Sequence, residues 1–191
     1  MKTTLTLPGH YRETFLIDLK ANKKQNLIVN GLALLLLVFA FAAAYLIQPF
    51  SLDEVDFSGA IPQVITAVIG TVAYIILHET VHGVLFWHFS GIKPTFGASL
   101  EFAYAASSAY YCRRDYLIIG LAPVVLWGIV LAVVSCIVPA DWYWAVQFIQ
   151  LMNISGAGGD VYVTWKLSWM PADILILDEG IRMTVYSLDR Q

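Results

Sequence analysis

Charged residues are scarce in this sequence. Only 13% of its 191 residues are Asp, Glu, Lys or Arg, while 59% are hydrophobic. A soluble domain carries about 25% charged residues, so the shortage indicates that much of the surface meets lipid. The net charge of −3 is small, and no long basic run is interleaved with aromatic residues. These absences argue against a nucleic-acid-binding protein.

Cysteine is scarce as well. The two cysteines, Cys112 and Cys136, fall near opposite ends of one apolar segment, roughly 35 Å apart if the segment is helical. They cannot pair with each other, so no disulfide framework or oxidising compartment is indicated. No small-residue cleavage site follows the first apolar run. We therefore expect that run to be a retained anchor and not a removed signal peptide.

Four apolar segments are present, each near or above the roughly 20 residues that a helix needs to cross a bilayer. They cover residues 27–48, 61–89, 116–138 and 142–170. The fourth is the least uniform, because it contains Asn153, Asp160 and three glycines between them. We predict an all-α membrane protein with four transmembrane helices. Without internal repeats, residues 1–191 are expected to form a single membrane-embedded domain.

The basic residues predict how these segments are oriented. With four spans, both termini and the loop 90–115 share one side, and all 11 Lys and Arg residues fall on it. The two opposite loops contain none. Under the positive-inside rule the basic side is cytoplasmic, so we expect both termini in the cytoplasm.

Two stretches on this cytoplasmic side have the alternation of β-strands. Residues 92–111 run through Leu100, Phe102 and Tyr104, and the tail 171–191 has two β-prone runs around Asp178-Glu179-Gly180. We predict small cytoplasmic β-hairpins there. A further hypothesis is that one of these elements adds an edge to an extended substrate.

The second segment contains the motif His78-Glu79-Thr80-Val81-His82. Residues i and i+4 share a helical face, so both imidazoles can reach one ion. Glu79 is rotated about 100° from His78, which lets it take a proton from an attacking water. Ionisable side chains in a membrane are costly and usually functional. The motif therefore predicts a zinc site of the hydrolytic type.

Two histidines leave a third ligand to be found. Asp160 is the only acid in the other three segments, and the neighbouring glycines loosen the helix around it. We predict His78, His82 and Asp160 as ligands of Zn²⁺, with water in the fourth position; iron or cobalt also suits these ligands. We expect His10 and His88 to lie outside the site, in the N-terminal segment and near the interface.

These elements resemble the site-2 protease group of intramembrane zinc metalloproteases, and most closely a small bacterial family of zincin peptidases. The motif on one span and Asn153-x-x-Gly-x-x-Gly-Asp160 two spans later carry the resemblance. Lys93-Pro94-x-Phe96-Gly97 and Ala122-Pro123 add to it, over residues 70–165. The site-2 pattern usually has Pro where this chain has Gly156, and Gly where it has Val161.

The resemblance implies roles for the residues that match it. Asp160 would be the third metal ligand, and Asn153 would act in catalysis beside Glu79, near the substrate carbonyl. It also implies a bacterial plasma-membrane enzyme whose active site lies toward the cytoplasmic side. A membrane-tethered protein or peptide would be the substrate, and a homo-oligomer is compatible with so small a bundle.

The leading hypothesis is a zinc-dependent intramembrane endopeptidase, and two alternatives stay open. The first is a non-enzymatic membrane protein that holds haem or another metal between its helices. That function gives Glu79 and Asp160 no purpose, and an absorption spectrum would reveal haem. The second is an inactive scaffold that has kept its zinc, which an activity assay would identify.

Overall fold

The computed structural model describes residues 2–50, 60–98 and 103–189. Its helices are α1 (Lys23–Ile47), α2 (Ile61–Ser90), α3 (Arg113–Ile137), α4 (Tyr143–Gly156) and α5 (Gly158–Ser168). Its strands are β1 (Tyr11–Asp18), β2 (Thr95–Ala98), β3 (Ala103–Ala106), β4 (Tyr110–Cys112), β5 (Leu175–Asp178) and β6 (Arg182–Leu188). A 3₁₀ turn, Ala140–Trp142, precedes α4. Leu100 and Phe102, part of the predicted strand region, lie outside the described residues.

Three helices, α1, α2 and α3, are long and apolar enough to cross a membrane, which indicates a multi-pass membrane protein. Local signals explain where two of them begin or end. The Asn22 side chain accepts hydrogen bonds from the first backbone N–H groups of α1, as a helix cap does. Gly91 ends α2 at a φ of 74°, a left-handed conformation that glycine adopts without steric cost.

The fourth predicted segment, 142–170, is not one continuous helix. It is divided at Ala157 into α4 and α5, so the described residues contain three candidate spans and not four. The three glycines at this point explain the break, since glycine weakens a helix. At Gly158 an added Cβ would lie 3.0 Å from the Cβ of Ala33 and 3.2 Å from the carbonyl oxygen of Val29. The glycine therefore also lets α1 approach the start of α5.

The strands form two antiparallel sheets. One has the order β1-β6-β5-β4 and the other is the β2–β3 hairpin. The tail hairpin is confirmed, with Gly180 in its turn at a φ of 87°. Strand β1, which the sequence analysis did not predict, pairs with β6.

The four-stranded sheet corrects one hypothesis about the tail. Strand β5 lies between β4 and β6, and β6 lies between β5 and β1. Both edges of each tail strand are therefore already paired, so the tail hairpin cannot add an edge to a substrate.

The buried core lies where this sheet packs against the helices. Its members come from α2, α3 and α5 as well as from the strands, and they are hydrophobic or aromatic. The fully buried ones include Phe86, Tyr111, Ile119, Leu167, Ile174, Ile176 and Val185. Cys112 and Cys136 lie at opposite ends of α3 and are both free, as expected from the sequence.

Candidate metal centre

Three side chains that can bind a metal ion converge between α2 and α5. His78 and His82 project from α2, and Asp160 projects from the first turn of α5. His78 Nε2 lies 3.2 Å from Asp160 Oδ2, and His82 Nε2 lies 3.5 Å from Asp160 Oδ1. One ligand atom from each residue lies within 4.8 Å of the others. The structure thus brings together the three residues that the sequence analysis proposed as ligands.

The second nitrogen of each imidazole is held by a neighbouring group. His78 Nδ1 lies 2.8 Å from the Tyr74 hydroxyl, and His82 Nδ1 lies 3.0 Å from the carbonyl oxygen of Ile119. A proton on Nδ1 donated to the Ile119 carbonyl leaves Nε2 unprotonated and free to bind a metal. Such contacts fix the ring orientation of metal-binding histidines. Both contacts direct Nε2 toward Asp160.

The break between α4 and α5 explains the position of Asp160. Its carboxylate lies in the first turn of α5, where the unpaired backbone N–H groups favour a negative charge. The two imidazoles are about 10% exposed and the carboxylate is 26% exposed. The carboxylate therefore borders an opening while the histidines form the buried wall behind it.

Glu79 is anchored by the β2–β3 hairpin. The backbone N–H of Ala105 in β3 donates to Glu79 Oε2 at 2.8 Å. This bond fixes one carboxylate oxygen and leaves Oε1 available to a water molecule. Glu79 lines the same cavity as the three metal-binding residues.

The cavity has a volume of about 180 Å³, room for roughly six water molecules. Beyond Glu79 and the metal-binding residues, its polar lining includes Tyr104, Tyr116 and Asp178. The sequence analysis did not single out Tyr116 or Asp178 as functional. Asp178 lies in the tail, outside the apolar segments on which the search for acids was based.

Two aromatic side chains fix the β2–β3 hairpin beside the cavity, and one of them, Tyr104, lines it. An added Cβ on Gly83 of α2 would lie 2.4 Å from Phe96 Cζ, so the ring packs directly on that glycine. The Tyr104 ring likewise fills the space beside Gly97 and Gly180. The hairpin is therefore docked on α2 at one end and against the tail hairpin at the other.

Asn153 is placed differently from the other predicted site residues. It is fully buried, and its amide nitrogen donates to the Val124 carbonyl oxygen at 3.2 Å and to Gln150 Oε1 at 3.3 Å. It is not among the described residues that line the cavity. Residues seven apart share a face only in a continuous helix, and the break at Ala157 separates Asn153 in α4 from Asp160 in α5. Its catalytic role stays a prediction from the resemblance.

The donor set fits a catalytic zinc ion. Two imidazole nitrogens and one carboxylate oxygen are the ligands that zinc enzymes use while keeping a fourth position open. Each histidine already has the partner on Nδ1 that such ligands usually have. His88 is exposed at the end of α2 and His10 is exposed near the N-terminus. Neither belongs to the cluster, in agreement with the expectation from sequence.

Comparison with known proteins gives one family match. A family model described as "Putative zincin peptidase" matches residues 71–175. That range includes α2 from Thr71 onward, the β2–β3 hairpin, α3, α4 and α5, and hence all three candidate metal ligands and Glu79. No curated protein and no solved structure gives a match.

Proposed function

The chain belongs to the family of putative zincin peptidases, whose model matches just over half of its residues, and on that premise we propose that it is a zinc-dependent intramembrane endopeptidase. It would hydrolyse peptide bonds of membrane-associated substrates. One observation carries the proposal: the ligand atoms of His78, His82 and Asp160 lie within 4.8 Å of one another. Glu79 lines the same cavity.

Four of the side chains that line the cavity have a chemical role in peptide hydrolysis. His78, His82 and Asp160 would hold the metal ion. Zinc, when bound, supplies Lewis-acid activation of water and of the substrate carbonyl at neutral pH. Glu79 takes one proton from the attacking water and delivers it to the nitrogen of the leaving amine. The Ala105 N–H keeps the Glu79 carboxylate oriented for both transfers.

The proposal places the site within the membrane, toward the cytoplasm of a bacterial cell. Three helices suit membrane crossing, and α4 and α5 together cover the fourth apolar segment, which we propose as a broken fourth span. Backbone breaks at membrane depth are tolerated where they line a cavity, and Gly156 and Gly159 line this one. All Lys and Arg residues fall on the side of the termini, which supports a cytoplasmic location for both.

An edge strand beside the cavity offers a place for a substrate strand to pair. Among the described strands, β3 pairs only with β2, and its other side faces the cavity through Ala103 and Ala105. We propose that an extended segment of a membrane-tethered substrate lies along this edge, because a peptide bond must leave its helix before it can be attacked. Main-chain hydrogen bonds of this kind bind a peptide without requiring a particular sequence.

The Glu79→Gln variant tests the proposed function. Purified protein in lipid vesicles would be assayed with fluorescent casein and with a single-span test substrate, and its zinc measured by elemental analysis. We expect turnover to fall by about 10²–10⁴-fold, the usual contribution of a general base, with zinc content unchanged. Full activity in this variant would disprove the role of Glu79.

Matched variants separate catalysis from metal binding. Glu13→Gln changes an exposed glutamate of β1 and should keep both activity and zinc. His78→Ala should lose the zinc, while His88→Ala, at the exposed end of the same helix, should keep it. An absorption band of haem in the purified protein, or zinc retained by His78→Ala, would contradict the proposed metal site.

A further inference from the structure

A second polar pair in the catalytic cavity has no role in the proposed mechanism. Tyr116, in the first turns of α3, and Asp178, at the end of β5, both line the cavity that holds Glu79 and the metal-binding residues. The Tyr116 hydroxyl donates a hydrogen bond to Asp178 Oδ2. Asp178 lies beyond residue 175, where the family match ends. The tail thus contributes a carboxylate to the cavity.

The Tyr116 hydroxyl, the hydrogen-bond donor of this pair, is already engaged within the protein. The Tyr116 proton is donated to Asp178, and the Gly180 backbone N–H donates to Asp178 Oδ1 at 2.8 Å. A carboxylate has about four lone-pair sites, so two remain on Asp178, and the tyrosine oxygen also keeps its lone pairs. The pair therefore presents only acceptors to the cavity, and a group that binds it must be a hydrogen-bond donor.

No Lys or Arg among the described residues forms an ion pair with Asp178. Of the described residues that line the cavity, none is Lys or Arg. Burial raises the pKa of Asp178 to about 6; the bonds from Tyr116 and Gly180 and the positive charge of a protonated His82 oppose the rise, while Asp160 adds to it. Above that pH the carboxylate is charged, and a partly buried carboxylate without a Lys or Arg partner favours binding of a cation.

Peptide hydrolysis generates such a cation. One O–H bond of water breaks, its proton passes to Glu79, and the hydroxyl adds to the carbonyl carbon. The C–N bond then breaks with its electron pair going to nitrogen, which receives the proton from Glu79. The products are a carboxylic acid group and an amine, which becomes an ammonium ion in water at neutral pH.

We propose that Tyr116 and Asp178 form the subsite that binds the amino group released when the peptide bond is cleaved. The inference rests on the proposed function and adds a substrate contact to it. It also explains the position of the tail hairpin, which has no free edge for a substrate strand. The turn at Gly180 serves to hold the Asp178 carboxylate in the cavity wall.

Two small probes test the subsite without a known substrate. Leucinamide carries a free amino group and no carboxylate, while N-acetylleucine carries a carboxylate and no amino group. Binding of each to the zinc-loaded protein would be measured by calorimetry at a pH above the pKa of Asp178. We expect Asp178→Asn to weaken leucinamide binding by about ten- to a hundred-fold, the range for a hydrogen bond to a charged group. Binding of N-acetylleucine and the zinc content should stay unchanged.

Further variants keep the test decisive. Tyr116→Phe removes the hydroxyl but keeps the ring, and it should also weaken leucinamide binding. It serves as the test if Asp178→Asn fails to fold. Asp189→Asn, at the exposed end of the tail, and Tyr45→Phe, exposed on α1, should have no effect. Failure of leucinamide to bind the wild type, or equal binding by wild type and both site variants, would overturn the subsite.

The outcome is separable from that of the proposed function. If Glu79→Gln abolishes cleavage but Asp178→Asn leaves leucinamide binding intact, the peptidase stands and the subsite fails. If no peptidase activity is found while Asp178→Asn weakens leucinamide selectively, the pair is an amine-binding site and the catalytic proposal fails.

Discussion

The apolar helices α1 to α3 and the sheet end of this protein, which consists of strands β1 to β6 and the residues packed on them, differ in the burial of their hydrophobic residues. In α1, Leu46 is 81% exposed, and many leucines and phenylalanines of that helix are also exposed. In β5, by contrast, Leu175 and Ile176 are fully buried. The helices thus depend on lipid to cover their side chains, whereas the sheet end has a core like that of a soluble domain.

The candidate metal centre lies where these two regions meet. His78 and Glu79 come from an apolar helix, but the partners that hold the wider site come from the sheet end as well. Ala105 of β3 binds Glu79, and Asp178 of β5 faces the same cavity. The comparison teaches that a site on an apolar helix can have its geometry fixed by a small packed sheet and not by helix packing alone.

The largest expected effect, on the free energy of unfolding, comes from replacing one isoleucine in each region with alanine. Ile176→Ala deletes a fully buried side chain of β5, and Ile69→Ala deletes one that is 64% exposed on α2. We expect Ile176→Ala to lower the free energy of unfolding by about 2–5 kcal/mol, since it leaves a cavity in the core. Ile69→Ala should change it by under about 0.5 kcal/mol.

Thermal unfolding of both variants in one detergent, followed by tryptophan fluorescence, provides the measurement. A larger loss for Ile69→Ala would show that the helices, and not the sheet, hold this protein together. Ile176→Ala should also bind zinc more weakly, because the sheet supports the site.

A smaller effect is expected from deleting one buried hydroxyl beside the metal centre and, as a control, one away from it. The Tyr74 hydroxyl lies 2.8 Å from His78 Nδ1, and the buried Tyr143 donates to the Ala44 carbonyl oxygen at 3.1 Å, away from the site. Tyr74→Phe should weaken zinc affinity by about 10–100-fold, as expected when the partner of a metal-binding histidine is lost. Tyr143→Phe should leave zinc affinity unchanged. Competition with a zinc chelator measures both, and equal affinities would remove Tyr74 from the site.

Much of the metal centre could be predicted from sequence because its signals are local. The spacing of His78 and His82 needs only one helix, and Asp160 is distinctive as an acid in an apolar segment. The structure brings these three residues together, and the tail hairpin is confirmed for the same reason: its two β-prone runs flank a turn marked by Gly180.

The remaining features depend on contacts between distant parts of the chain. Strand β1 pairs with β6, more than 160 residues away in the sequence, and no local pattern predicts that pairing. Asp178 enters the cavity only because β5 packs between β4 and β6. For Asn153 a local pattern is misleading. Its spacing of seven residues from Asp160 predicts a shared helical face only if the helix is continuous, and this helix ends at Gly156.

The smallest expected effect concerns two glycines of the apolar helices, one exposed on α1 and one packed against the β2–β3 hairpin. Gly31 is exposed on α1 with no atom within 4 Å of an added Cβ, whereas at Gly83 an added Cβ would meet Phe96 at 2.4 Å and Pro94 at 3.1 Å. Gly31→Ala should stabilise α1 by roughly 0.5–1 kcal/mol, because alanine loses less backbone freedom in a helix.

Gly83→Ala should instead push the β2–β3 hairpin outward and move Ala105 relative to Glu79. A displacement near 1 Å can lower a rate up to about a hundred-fold. Because the Phe96 ring is exposed and can move away from the added methyl group, we expect a smaller, several-fold fall in kcat/KM. Zinc content should be unchanged, because none of the three ligands lies on the hairpin. Unaltered turnover in Gly83→Ala, with Gly31→Ala as the control, would mean that the hairpin does not position the base. The sheet end would then support the fold but not the chemistry.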